Sequence, residues 1–375
     1  MRQASHSHFD DAALFGVHAL ACLQAADTLK GGHQTPPEWQ NENCWRQTLF
    51  RVRDYDLKAT LTCGQAFRWE ECSGAWEGVV GRRWVRLRSV PEGILAETVI
   101  DSISRDLHAR VPRSRGPGTS HVAAEPRERG TLTDSPSQGA PGLICAWPWL
   151  EDYLQTGVDL DPILAGFPDD EPMRAATIRC HGLRLLRQDA WECLASFILS
   201  STKQIVQIRQ IIAQLCERFG ETVAVPSGHR PAFAFPTATR LADCTEAELR
   251  SCKMGFRAPS LLAAARAVAE GELRLAALAG LPLEEARAEL CRLRGVGPKI
   301  ADCVLLFGCG FSAAFPMDVW IMKALRDLYF PKRRPSPRRL RVFAEGHFLP
   351  YAGYAQQYLF HHIRLLSKAA NQALA

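Results

Sequence analysis

The sequence predicts an α+β fold, with a small antiparallel sheet domain followed by a large all-helical part. Three observations predict it. Between Trp45 and Arg110 five short β-prone runs are separated by turn signals, and from Leu143 onward the apolar residues recur at helical spacing. Nowhere does a strand–helix alternation repeat, which disfavours a doubly wound dinucleotide fold.

Residues 1–44 hold two basic and five acidic residues and read as a weakly structured tail, with one candidate amphipathic helix over Ala12–Lys30 that ends at Gly31-Gly32. The tail lacks both the charged start and the clean apolar run of a secretory signal. No stretch of the chain is apolar for about eighteen residues, the length a membrane span needs. Thirteen cysteines are scattered with no Cys-x-x-Cys pair, so reduced, mostly buried thiols in an intracellular protein are expected, without a zinc or iron–sulfur site of local spacing. At 375 residues, with 47% hydrophobic and 23% charged, the chain suits two or three packed subdomains.

The sheet domain is expected over 45–181. Its candidate strands are TLFRVRD, AFRWEE, AWEGVVG, RWVRLRSV and ILAETVI, with turns at Cys72-Ser73-Gly74 and Pro91-Glu92-Gly93. Residues 111–142, rich in Pro, Gly, Ser and Arg, read as a flexible insertion. The helical domain is expected over 182–375. Its strong segments are Asp189–Ser200, Gln204–Phe219, Pro259–Gly271, Leu283–Leu293, Pro298–Phe307, Asp318–Tyr329 and Tyr351–Ser367. From Lys299 to the end there are eleven Lys/Arg against four Asp/Glu, a balance that suits phosphate contact and equally suits a solvated charged face.

The most informative stretch is Leu290–Leu306, LCRLRGVGPKIADCVLL. Two helices flank a tight turn at Gly295, Val296 and Gly297, a helix-hairpin-helix pattern placed over 283–308. The glycines allow a sharp turn and close approach to another molecule. Pro298 suits a first helical position, and the free amides there form an anion site fit for a DNA phosphate. A P-loop is excluded, because neither its glycine spacing nor a Ser/Thr after Lys299 is present. Lys299, in the first turn, faces the positive end of the helix dipole, where the free amine needed by a nucleophile is favoured. The segment alone leaves open a lysine that only contacts phosphate. Cys303 follows one turn later on the same face. Downstream, Asp318 in Phe315-Pro316-Met317-Asp318 is placed to cap a helix, and a carboxylate held there can also orient an amine or stabilise positive charge on a sugar.

The hairpin, the lysine and the Pro-x-Asp loop resemble the helix-hairpin-helix, Gly/Pro-rich loop, Asp superfamily of DNA glycosylases. Four further segments resemble the 8-oxoguanine DNA glycosylase/AP lyase family within it: Cys63-Gly64-Gln65-Ala66-Phe67-Arg68-Trp69, GLRLLRQDAWECLASFILSS over 182–201, Gly255-Phe256-Arg257-Ala258, and Pro350-Tyr351-Ala352-Gly353-Tyr354-Ala355-Gln356. The C-terminal cysteine cluster of endonuclease III-like relatives is missing, and Lys299 separates the chain from monofunctional alkyl-base glycosylases.

The resemblance implies duplex DNA with a damaged purine as partner, action as a monomer away from membranes, and no cofactor. It makes Lys299 the nucleophile, assisted by Asp318, with a Schiff base that permits strand cleavage. A base pocket of Gly64, Phe67, Cys303, Met317, Gln356 and Phe360 is also implied. In it the Gly64 carbonyl accepts the N7–H that 8-oxoguanine carries and guanine lacks, a missed buried hydrogen bond costing ~1–3 kcal/mol. The base lies between Phe360 and the Cys303 sulfur, and Gln356 bonds its Watson–Crick edge. Read without the family, Phe360 and Cys303 are ordinary core residues. DNA contacts are implied for Gly295, Val296, Gly297, Arg257, Lys203 and Gln207, and a structural cation for the carbonyls of Cys291, Leu293 and Val296. Three departures stand out: Thr202-Lys203-Gln204 replaces a run of three asparagines, Gln207 replaces an arginine that reads the orphaned cytosine, and Trp320 replaces a histidine. A monofunctional alkyl-base glycosylase and a non-catalytic hairpin module are the rival readings.

Overall fold

The computed structural model describes residues 44–100, 147–200 and 204–373. The tail before Cys44, the insertion expected over 111–142, and Thr202 with Lys203 lie outside the described residues.

Five strands form one antiparallel sheet: β1 (Cys44–Arg51), β2 (Trp69–Cys72), β3 (Ala75–Val80), β4 (Arg83–Val90) and β5 (Gly93–Ile100), ordered β1-β5-β4-β3-β2. Side-chain alternation sorts their two faces. Val85, Leu87, Ile94 and Phe50 point into a core closed by Leu57 and Leu61 of α1 (Leu57–Thr62) and Leu150 and Leu154 of α2 (Pro148–Leu154). On the other face Arg86 pairs with the cross-strand Glu77 at 2.6 Å, and Arg88 with Glu97 at 3.1 Å. A two-stranded ribbon, β6 (Thr222–Val223) with β7 (Ala232–Phe233), adds Val223 to a small cluster around Trp84.

Two local outcomes differ from the pattern in the sequence. The run expected to be a strand from Ala66 is extended only from Trp69, because Phe67 turns away from the sheet into the helical core, edge-on to Phe197 at 5.6 Å. The six residues of α1 escape periodicity because they span under two turns, yet Asp56 caps them by accepting the Ala59 N–H at 2.8 Å.

The helical part runs through α3 (Asp161–Ala165), α4 (Glu171–Arg179), α5 (Ala190–Ser200) and α6 (Ile205–Phe219). After the ribbon come α7 (Ala238–Ala242), α8 (Glu246–Leu249), α9 (Ala258–Ala269), α10 (Leu275–Leu278), α11 (Leu283–Cys291) and α12 (Pro298–Val304). Last are α13 (Val319–Tyr329), α14 (Pro337–His347) and α15 (Ala352–Ala373). In α5 every residue from Cys193 to Leu199 is buried, so it is the central helix and α12 packs along it. The expected helix Pro298–Phe307 stops at Val304 and continues as a wide turn, Leu305–Cys309, closed by Gly310 at φ +85°. There the two elements come close: a Cβ on Gly308 would stand 3.0 Å from the Ala190 Cα.

The hairpin is anchored from below. Asp302, fully buried, accepts from Arg287 of α11 at 2.7 Å and from Arg341 of α14 at 3.0 Å. Removing one partner of such a buried pair typically costs about 3–5 kcal/mol, since the survivor is left charged and unsolvated. Among the described residues no helix is long and apolar enough to cross a membrane.

Candidate active site

A cleft of about 490 Å³ opens between α5, α6, α12, the start of α13, the middle of α15 and the loop after α1. Lys299, Cys303, Asp318, Gln356, Phe360, Gly64 and Phe67 all line it. These residues are up to 296 positions apart in the chain (from Gly64 to Phe360) and only the packing of the helices brings them together.

Each is held by its own element. Lys299 sits in the first turn of α12 behind the buried Ile300 and Ala301. Its Nζ donates to the Ser200 Oγ at 3.1 Å, and the Ser200 hydroxyl gives its own proton to the Phe197 carbonyl at 2.8 Å, so its lone pairs face the lysine. The Phe197 ring centroid lies 5.2 Å from Nζ. Asp318 caps α13, accepting the Ile321 N–H at 2.8 Å. Burial pushes its carboxyl above the ordinary aspartate range, against the Ile321 N–H and the charges of Lys299 and Arg364. One turn beyond Lys299, burial drives the Cys303 thiol up to about 12, so it stays neutral.

The opposite wall is the loop Cys63-Gly64-Gln65 against α15. Gln65 is spent on structure: its Nε2 donates to the carbonyls of Thr60 and Arg184, and its Oε1 accepts from the Leu186 N–H at 2.9 Å. Gln357 of α15 donates to the Cys63 carbonyl at 3.1 Å. Gly64 itself has φ +91°, and an added Cβ would meet Phe360 Cε1 at 3.3 Å. No donor among the described residues occupies its carbonyl. The Gln356 Oε1 is buried without a partner, an amide held ready rather than satisfied internally. Phe360 follows one turn later.

Other expected residues stand apart. Met317 does not line the cleft; its side chain is buried in the helical core. Gln207 is exposed in the first turn of α6, where its Oε1 accepts the Gln204 N–H at 3.2 Å. Arg257 lies at the start of α9 with its guanidinium 4.4 Å from the ring centroid of Phe256. Lys203 lies outside the described residues. In the hairpin, Gly295 has φ +80° and backs onto Ser260, while a Cβ on Gly297 would meet nothing within 4 Å, so that side is open to another molecule. The Leu293 carbonyl accepts the Val296 N–H at 3.1 Å and keeps a second lone pair, which is compatible with the structural cation expected there alongside Cys291 and Val296.

Sequence reasoning missed Ser200, Phe197 and Arg364. Ser200 and Phe197 fall inside the family-like segment 182–201, where helical spacing marks them only as positions on a buried helix. Arg364 had only its spacing to signal it, eight residues after Gln356 and four after Phe360, on the same helical face.

Residues 195–346 match the HhH-GPD superfamily base excision DNA repair protein family, and residues 48–194 match the 8-oxoguanine DNA glycosylase, N-terminal domain. The chain belongs to the HhH-GPD superfamily of base excision DNA repair proteins. Within it the similarity points to one branch. A probable N-glycosylase/DNA lyase of Methanothermobacter thermautotrophicus is 35% identical over 218 residues, 53% of this chain and 69% of that one. The N-glycosylase/DNA lyase OGG1 of Arabidopsis thaliana is 28% identical over 331 residues, 84% of this chain and 79% of its own. Among solved structures, the Clostridium acetobutylicum 8-oxoguanine glycosylase/lyase, in complex with dsDNA containing cytosine opposite 8-oxoG, superposes with a TM-score of 0.67 at 27% identity, covering 84% of this chain and 93% of that one.

Proposed function

We propose that this chain is a bifunctional 8-oxoguanine DNA N-glycosylase/AP lyase acting in base excision repair. The observation that carries the reading is a lysine amine, Lys299, lining one cleft with the carboxylate of Asp318, the Phe360 ring and the Cys303 thiol. A base inside a duplex offers no access to C1′, so the damaged nucleotide is flipped into the cleft. Its purine lies between Phe360 and the neutral Cys303 thiol, with the unoccupied Gly64 carbonyl taking N7–H and the Gln356 amide bonding the Watson–Crick edge. The Lys299 amine attacks C1′, the base departs with the C1′–N9 electron pair, and Asp318 stabilises the positive charge that builds on the sugar. The resulting Schiff base makes the 2′ proton acidic and the 3′ phosphate leaves by β-elimination.

Duplex DNA is the partner. The hairpin Gly295-Val296-Gly297, with Gly297 open to solvent, meets its phosphates; Arg257, Gln207 and Lys203 are assigned to the strand opposite the lesion. The enzyme works as a monomer and its reaction needs no cofactor. Its location is that of the genome it repairs, nucleoid or nucleus.

Borohydride trapping on a duplex containing 8-oxoguanine tests the reading. A covalent protein–DNA adduct mapping to Lys299 is the expected result. Base release without an adduct would leave a monofunctional glycosylase, and binding with neither would leave a DNA-binding module.

A further inference from the structure

Arg364 is the charged group of the cleft to which the reaction above gives no task. It follows Gln356 and Phe360 along one face of α15 and lines the same cleft as Lys299. Its guanidinium carbon lies 5.4 Å from the Phe360 ring centroid, and its Nη1 is 3.5 Å from where a Cβ on Gly64 would stand. Among the described residues it makes no hydrogen bond and no ion pair. Five N–H donors therefore sit beside the residue whose carbonyl is expected to read the lesion.

We propose that Arg364 is a further catalytic residue, a hydrogen-bond donor to the purine oxygens that stabilises the oxidised base as it departs as an anion. The inference rests on the lesion assignment above. On the purine edge N7–H lies between O6 and O8, so with N7–H on the Gly64 carbonyl a donor beside Gly64 addresses those two oxygens. Before reaction the base is neutral. As the Lys299 lone pair forms the C1′–N bond, the C1′–N9 bond breaks and its electron pair leaves on the base. The negative charge spreads from N9 onto O8, and the proton that neutralises it comes from the alkylammonium just formed at Lys299. The guanidinium thus interacts more strongly with the transition state than with the bound substrate, which is the condition for raising the chemical rate rather than only the affinity. An alkylated purine already carries positive charge and leaves neutral, so it gains nothing from Arg364. The arginine therefore also tilts the pocket toward oxidised purines.

Strand cleavage at a preformed abasic site has no departing base, and this separates Arg364 from groups that act on the sugar. The experiment compares the parent, Arg364→Leu and Arg364→Lys in single-turnover release of 8-oxoguanine and in cleavage of a duplex carrying an abasic site. Loss of one donor aimed at developing charge slows excision by roughly 100-fold. Abasic-site cleavage falls far less, and lysine, which keeps the charge, recovers part of the loss. Equal loss of both activities in Arg364→Leu, or excision at the parental rate, overturns the proposal while leaving the lesion assignment intact. A parent that cleaves abasic sites but releases no 8-oxoguanine overturns the lesion assignment, and this inference with it.

Discussion

The base pocket and the rim assigned to the opposite strand are built on different foundations. In the pocket, every group stands on a backed element: Lys299 and Cys303 on a helix whose inner residues are fully buried, Gly64 in a loop pinned by Gln65 and Gln357, Phe360 and Gln356 on α15. At the rim, Gln207 is exposed at the start of α6 and Phe256, beside Arg257, is 62% exposed. Of the departures from the family pattern, Gln207 falls at this rim, and Trp320, which lines the cleft, is itself 39% exposed. The exposed, lightly packed side can change residue without disturbing the core, whereas a change in the pocket perturbs several helices at once.

The hardest test of the pocket is Lys299→Gln. It removes the amine but keeps a hydrogen-bonding side chain of similar length, so base excision and strand cleavage both fall by several orders of magnitude while lesion binding persists. Single-turnover release near the parental rate would end the nucleophile assignment.

Gly64→Ala comes next. The residue sits at φ +91°, where a side chain costs about 1–3 kcal/mol, and the new methyl would press on Phe360 and Ile205. Slower excision with poorer rejection of guanine is expected, read as the ratio of release from the two bases. Retained discrimination would mean the Gly64 carbonyl is not the reader.

Asp318 gives a pH signature. Because burial holds its carboxyl above the ordinary 3.8, excision is lost on acidification at a higher pH than an unperturbed aspartate would produce. The linkage runs the same way: a carboxyl that binds its proton more tightly folded than unfolded stabilises the protein below its folded pKa, and that contribution is lost as pH rises through it. Asp318→Asn keeps an acceptor for the Ile321 N–H, so at neutral pH the variant melts higher than the parent while excising more slowly. A lower melting temperature, or an unmoved acid limb of the rate profile, contradicts the assignment.

The rim gives the smallest effect. An orphaned cytosine offers acceptors at O2 and N3 that an arginine fork satisfies together, whereas Gln207 is a short amide whose oxygen is already engaged with Gln204. The parent therefore shows a weaker preference for cytosine opposite the lesion, with adenine tolerated better. Gln207→Arg sharpens the preference by about 1–3 kcal/mol. Excision opposite all four bases measures it, and a parent already strict for cytosine would shift the reading to Lys203 or Arg209.

What could be read from the chain in advance was whatever depends on near neighbours. The hairpin was legible because Gly295, Gly297 and Pro298 state a backbone path within a few residues, and the sheet because β4 and β5 alternate visibly. Asp318 was legible as a cap, which is a contact three residues long. The π turn after Val304, the inward turn of Phe67 and the burial of Met317 were not, because each answers to a distant surface: α5 for the first two, the helical core for the third. By itself the sequence determined the sheet, the hairpin and the longer helices around them, and it marked Lys299 as the candidate amine. Only the tertiary structure decided that Ser200 and Phe197 hold that amine and that Arg364 lines the same cleft, since periodicity encodes which face of a helix is buried but not which side chains from other helices meet there.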